Sequence, residues 1–332
     1  MTTRDRLLAL LVAAIWGANF PATHYALQQF PPFLLASLRF ALIAVPTLLF
    51  VPRPAVRWRW ILGYGVGFGI LQFAFLYAGM ASGMPSGLAS LVLQSSAPFT
   101  VVLGAALLRE RVSPRQAAGI AVALLGLSVI AAHRAQVSAL LPVLLTVAGG
   151  FGWALGNLAN RQARSDSPFR LTLWMSVVPP APMAALSLAV EGPGRDLDAL
   201  RGAVTVHAVP ALLGLGYIVL VATLVGSGLW TVLMSRNPAG QVAPFSMAVP
   251  AVGMLTSWLL LGETVDLVEI VGGLAVVGGV LWGSGGRRRA ASTAPHTAGT
   301  VENHGLEPAD VLAPRPRDLR TGRAALPGAT RG

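Results

Sequence analysis

The chain has 332 residues, of which 54% are apolar and only 11% charged, a balance that excludes an ordinary soluble domain. The formal net charge is +11, and all 24 basic side chains are arginine. There are no cysteines, which excludes disulfides and thiolate metal sites.

Stretches of about 20 apolar residues cross a ~30 Å hydrocarbon core as helices. Ten are predicted, at about 7–25, 33–51, 60–80, 85–108, 114–132, 139–160, 169–190, 208–234, 239–261 and 266–283. A soluble core hides one or two such helices, not ten. The first follows Arg4 and Arg6 and runs through Trp16, Asn19 and Phe20 without a small-x-small cleavage site, so it reads as an uncleaved helix. The second carries Arg39. The third carries Gln72 and a run of alternate glycines, Gly63 to Gly69; the fourth carries Gln94, Ser95, Ser96 and Pro98. Trp153, Asn157 and Asn160 mark the sixth, Thr223 and Ser227 the eighth, and Gln241, Ser246 and Pro250 the ninth. The connection 191–207 sets Glu191, Asp196 and Asp198 against two arginines and predicts a short surface helix. Residues 286–332 almost lack large apolar side chains and read as a disordered cytoplasmic tail.

The chain repeats itself. Glu110 is followed by Gly119 and Gly126, gaps of nine and seven, and Glu263 by Gly272 and Gly279 with the same gaps. An apolar stretch with a proline, Pro98 or Pro250, precedes each glutamate, and Arg109 stands in the first copy where the second has Gly262. The ten spans therefore divide into two five-helix units, 1–135 and 136–285. Five is odd, so the second unit enters the membrane from the opposite side. The expected fold is an all-α integral membrane protein, ten transmembrane helices forming two inverted five-helix repeats around a central cavity.

The arginines sit at alternate helix ends. Fifteen lie at one end, among them Arg4, Arg6, Arg53, Arg57, Arg59, Arg109, Arg161, Arg164 and Arg287 to Arg289, against Arg134, Arg195 and Arg201 at the other. This asymmetry predicts that both termini are cytoplasmic in a cell inner (plasma) membrane. The charge records topology, so the bilayer is the expected partner and nucleic acid is not.

Polar groups at membrane depth must be satisfied within the protein and so mark the bundle interior. The candidate cavity residues are Asn19, Arg39, Gln72, Gln94, Trp153 and Asn157. Arg39 stands out because no acidic residue in the spans is an obvious partner; unpaired, it costs on the order of 3 kcal/mol. Either it faces the cavity and binds a substrate carboxylate through its planar fork, or it snorkels and bonds helix-end carbonyls. Asn19 and Asn157 hold comparable places in the two repeats, lining the cavity or bonding between helices. Pro98 and Pro250 interrupt equivalent helices, a pattern that points to a central binding site or to kinks that shape packing. No carboxylate lies deep in a span, no His-Glu-x-x-His pair or Gly-x-Ser-Gly site is present, and the histidines lie at span edges. No catalytic residues, metal site or cofactor are expected.

Several segments together resemble the EamA-type drug/metabolite transporters, and within them the bacterial exporters of cysteine and O-acetylserine. They include Trp16 to Phe20, Leu38 to Phe40, Gln72 to Leu76, Gly83 to Gln94, Trp153 to Asn157, Val221 to Gly226 and Val242 to Ser246. The resemblance covers about residues 5–283. It implies a central cavity open alternately to each side and export of small amino-acid metabolites, with a homodimer as a further expected partner. Aromatic amino acids, drugs or other amphipathic compounds are the alternative cargo, given Trp16, Trp153, Tyr77, Tyr217 and Trp230.

Overall fold

A computed structural model describes residues 1–137, 140–237 and 239–284. The expected tail, 286–332, lies outside the described residues. Ten apolar helices stand among those described. They are α1 (Thr3–Gln29), α2 (Pro32–Phe50), α3 (Trp58–Ala81), α4 (Ser86–Leu108), α5 (Pro114–Val137), α6 (Leu141–Ala163), α7 (Pro168–Val190) and α8 (Val206–Arg236). Two shorter ones follow: α9 begins as a turn at Ala239–Val242 and ends at Leu261, and α10 is Leu267–Ser284. The expected surface helix is present at Pro193–Gly202. Large apolar side chains such as Leu49, Phe50, Leu125, Leu213 and Leu274 point outward, as a lipid-facing surface requires.

The halves interlock under a pseudo-two-fold exchange. Helix α1 packs on α8 and α9, and its counterpart α6 packs on α3 and α4. A further set of contacts pairs equivalent helices: α2 with α7, α4 with α9, α5 with α10. Each of these pairs is antiparallel. A Cβ on Gly119 would strike the carbonyl oxygen of Gly279, and one on Gly126 that of Gly272. The numbering rises in α5 as it falls in α10, so the two repeats run in opposite senses. The Glu-Gly-Gly spacing is thus a packing device: glycine at those positions lets two backbones touch.

Prolines and wide turns break the helices in matched places. Pro98 has no N–H to donate to the carbonyl four residues earlier, and the chain tightens to a 3-10 turn at Leu93–Ser95. Pro250 does the same after Ala243–Ala248. The sequence did not announce a second matched pair: α3 widens to a π-helix at Gly65–Gln72, and its counterpart α8 at Tyr217–Gly226. In α7, Pro179 and Pro180 open the helix, and Gly65 and Gly69 of α3 receive Val178 and Pro179 there.

Helix ends are closed from a distance. Neither α2 nor α4 has a cap of its own, since prolines occupy both N-cap positions. Glu191, after α7, accepts the N–H groups of Phe33 and Leu34, while Glu263, after α9, accepts those of Ser86 and Gly87. Carboxylates at helix N-termini meet both the unpaired N–H groups and the positive end of the helix dipole. Met1 binds Gln241 at the start of α9, fixing which end of the bundle carries the N-terminus. That end is the N-terminal face below; the caps on α2 and α4 lie at the opposite face.

Candidate substrate site

Arg39 is held inside the bundle, only 6% exposed, where α2, α3 and α8 meet. Its Nη1 donates to the Tyr77 hydroxyl at 2.8 Å and its Nη2 to Thr223 Oγ1 at 3.1 Å. The guanidinium carbon lies 4.1 Å from the centre of the Phe73 ring, a cation–π contact. Every described partner is neutral, and Nε is buried without a hydrogen bond among the described residues. The charge is therefore solvated by hydroxyls and a ring and has no described counter-ion. Helix-end carbonyls play no part in this arrangement.

The π segments build this environment. Thr223 donates to the carbonyl of Ile218, five residues back, and so turns its oxygen lone pairs to Arg39. Four aromatic residues of α3 fall at 64, 68, 73 and 77, gaps of four, five and four. In a regular α-helix the gap of five throws Phe73 off the face that holds Phe68. The wider turn absorbs the extra residue, and the rings stack in one column, tilted at Tyr64–Phe68 and edge to face beyond it, with centroids 5.5, 5.6 and 5.3 Å apart. Phe68 and Phe73 escaped the sequence reading; the five-residue gap among aromatics was the signal that carried them. The column reaches α6 as well, since Trp153 lies 6.3 Å from Phe68.

The structure thus joins Arg39, Tyr77, Thr223 and Trp153 through Phe73 and Phe68. Asn157 forms a separate pair, donating from Nδ2 to Thr100 Oγ1 at 3.3 Å and tying α6 to α4. Gln72 and Gln94 are buried, and Gln72 Oε1 has no hydrogen bond among the described residues; nor has Asn19 Oδ1 on α1. No hydrogen bond or ring contact among the described residues joins Asn19, Gln94 or Asn157 to Arg39. Trp16, which the sequence offered as cavity lining, donates to the carbonyl of Ala222 and stacks on Trp230, a packing role between α1 and α8.

Two carboxylates are more buried than their helix-end positions suggested. Asp196 is buried against Ser187, and Glu269 is 1% exposed in the first turn of α10. His133, Asp266 and Glu269 bring ligand atoms within 4.8 Å of one another, a spacing open to a metal ion. Capping accounts for that grouping: Glu269 accepts the Asp266 N–H, and Asp266 pairs with His133 at 2.9 Å.

Comparison with known proteins agrees with the duplicated architecture. The family described as the EamA-like transporter family matches twice, over residues 6–132 and 140–284. Two proteins named "Probable amino-acid metabolite efflux pump", from Salmonella typhimurium strain LT2 and Escherichia coli K12, are each 40% identical over 286 residues, covering 84% of this chain and 94% of the relative. A "Probable terminal-alkyne amino-acid exporter" of Streptantibioticus cattleyicolor is 26% identical, covering 86% of this chain and 95% of that one. A crystal structure 20% identical in sequence superimposes with a TM-score of 0.52 over 88% of this chain and 100% of its own, a likeness of fold alone.

Proposed function

Because the chain belongs to the EamA-like transporter family, a family of transporters and not of enzymes, we propose that it exports small amino-acid metabolites of the cysteine and O-acetylserine type by alternating access. It is a multi-pass membrane transporter of small metabolites. The reading places it in the plasma membrane with both termini cytoplasmic, which the arginine asymmetry supports, and takes residues 1–135 and 136–285 as its two repeats. The names of the 40% identical relatives support amino-acid metabolites as the cargo class.

Arg39 carries the proposal. A buried guanidinium with neutral partners and an unused Nε gains most from an anion that comes and goes. A substrate carboxylate supplies one, while Asn19, Gln72, Gln94 and Asn157 offer neutral bonds for the ammonium and side chain. The aromatic column beside Arg39 favours a second reading, in which aromatic amino acids or amphipathic drugs are the cargo.

Counterflow in proteoliposomes, screened across amino acids and their methyl esters, separates these readings. Arg39→Gln is expected to weaken free acids far more than esters, by about 1–3 kcal/mol for a lost charge-assisted bond. Arg39→Lys restores part of it, since an ammonium lacks the fork. Equal losses for acid and ester overturn the carboxylate role, and a preference for aromatic cargo selects the second reading.

A further inference from the structure

The two repeat glutamates hold different partners. Glu263 clamps the opposite face: its Oε1 accepts from Ser86 N–H and its Oε2 from Gly87 N–H, both at 3.0 Å. Below this clamp α4, α9 and α1 are sealed together. Gly87 lies against Met254, Ser90 Oγ reaches the Pro250 carbonyl at 3.4 Å, and Gly17 lies against Val252 and Gly253. At the N-terminal face, Glu110 instead accepts from Arg161 Nη2 of α6 at 2.8 Å, with both side chains 42% exposed.

The repeat identifies what Glu110 would clamp in turn. The residues that Glu263 holds lie in Met84-Pro85-Ser86-Gly87, at the start of α4. The start of α9 reads Asn237-Pro238-Ala239-Gly240, with proline and glycine at the same spacing. Exchange of the repeats maps Glu263 onto Glu110, and Ser86 and Gly87 onto Ala239 and Gly240.

We propose that Glu263 and Glu110 are the paired gate carboxylates of transport, each closing one face by capping the equivalent helix of the other repeat. In the arrangement seen, Glu263 holds the opposite face shut while Arg161 parks Glu110. In the opposite state Glu110 leaves Arg161 for the N–H groups of Ala239 and Gly240, and Glu263 lets go of α4. The inference rests on alternating access but on no particular substrate. It makes the two glutamates antagonists, which two independent structural caps are not.

The absence of cysteine allows a direct test with Ser90→Cys, buried beneath the Glu263 clamp, labelled by a membrane-impermeant maleimide applied to the opposite face. Adding Glu263→Gln is expected to speed labelling about tenfold, as loss of a charged clamp implies, and Glu110→Gln to slow it about threefold. The double variant falls between the two, about threefold faster than the Ser90→Cys parent, because both states then lose a clamp. Glu263→Asp gives an intermediate rate, and with Glu110→Gln carries the test if Glu263→Gln fails to accumulate. Unchanged labelling in folded variants, with only a lower Tm, overturns the gate, as does a shift of both glutamate variants in the same direction. No substrate enters the measurement, so a failed counterflow screen and a failed gate are distinguishable.

Discussion

Helices α2 and α7 begin alike and end with different tasks. Each opens with Pro-Phe, at Pro32-Phe33 and Pro168-Phe169, with leucine two residues on at Leu35 and Leu171. Seven residues past the proline, α2 has Arg39 and α7 has Met175, which is fully buried. The scaffold is symmetric and the site is not. The carboxylate role proposed for Arg39 needs the charge in one copy only. The duplicate position is free to become apolar, as burial in a bundle favours.

The largest expected effect tests that asymmetry. Met175→Arg adds a buried charge where no Tyr77, Thr223 and Phe73 wait for it, at a cost of about 3 kcal/mol or more. Membrane abundance and Tm should fall sharply. Normal accumulation shows instead that this depth tolerates an unsolvated guanidinium, and that the surroundings of Arg39 are not special.

A medium effect separates the copies along α5 and α10. Gly126→Val drives a side chain into the backbone oxygen of Gly272, whereas Gly272→Val meets Ile130 at 2.8 Å and the backbone oxygen of Gly126 slightly farther off, at 2.9 Å. Both destabilise, by roughly 1–3 kcal/mol, with Gly126 the costlier position. Thermal unfolding in detergent ranks them, and equal losses mean that the two backbones relax apart.

The smallest effect concerns the residue before each of the two repeat glutamates. Arg109 and Gly262 both adopt the left-handed conformation, with φ of 54° and 66°. The substitution of arginine for glycine therefore leaves the helix end unchanged but strains it. Arg109→Gly should stabilise by about 1 kcal/mol and Gly262→Ala should cost about as much. Opposite signs in the Tm shifts confirm matched helix ends; equal signs show that the two ends differ.

Membrane solvent makes much of this fold legible in sequence. Ten apolar stretches, the arginine asymmetry, the Glu-Gly-Gly spacing and Pro98 with Pro250 are local patterns fixed by hydrocarbon thickness, lipid charge and backbone hydrogen bonding. They were enough for the ten helices, for the odd count that inverts the second repeat, and for Arg39 as the side chain with most to explain. Tertiary structure alone decided what Arg39 touches. Its partners lie 38 and 184 residues away, and nothing in their own sequence neighbourhoods marks Tyr77 or Thr223 as a guanidinium acceptor. The π turn of α3 packs against α6 and α7 and that of α8 against α1, partners that the residues of the two turns do not announce. The same holds for the glutamates: the sequence makes Glu110 and Glu263 equivalent, and only packing gives one a helix end and the other an arginine. A single chain written twice folds into one conformation at a time, and in this one the two copies hold their glutamates differently.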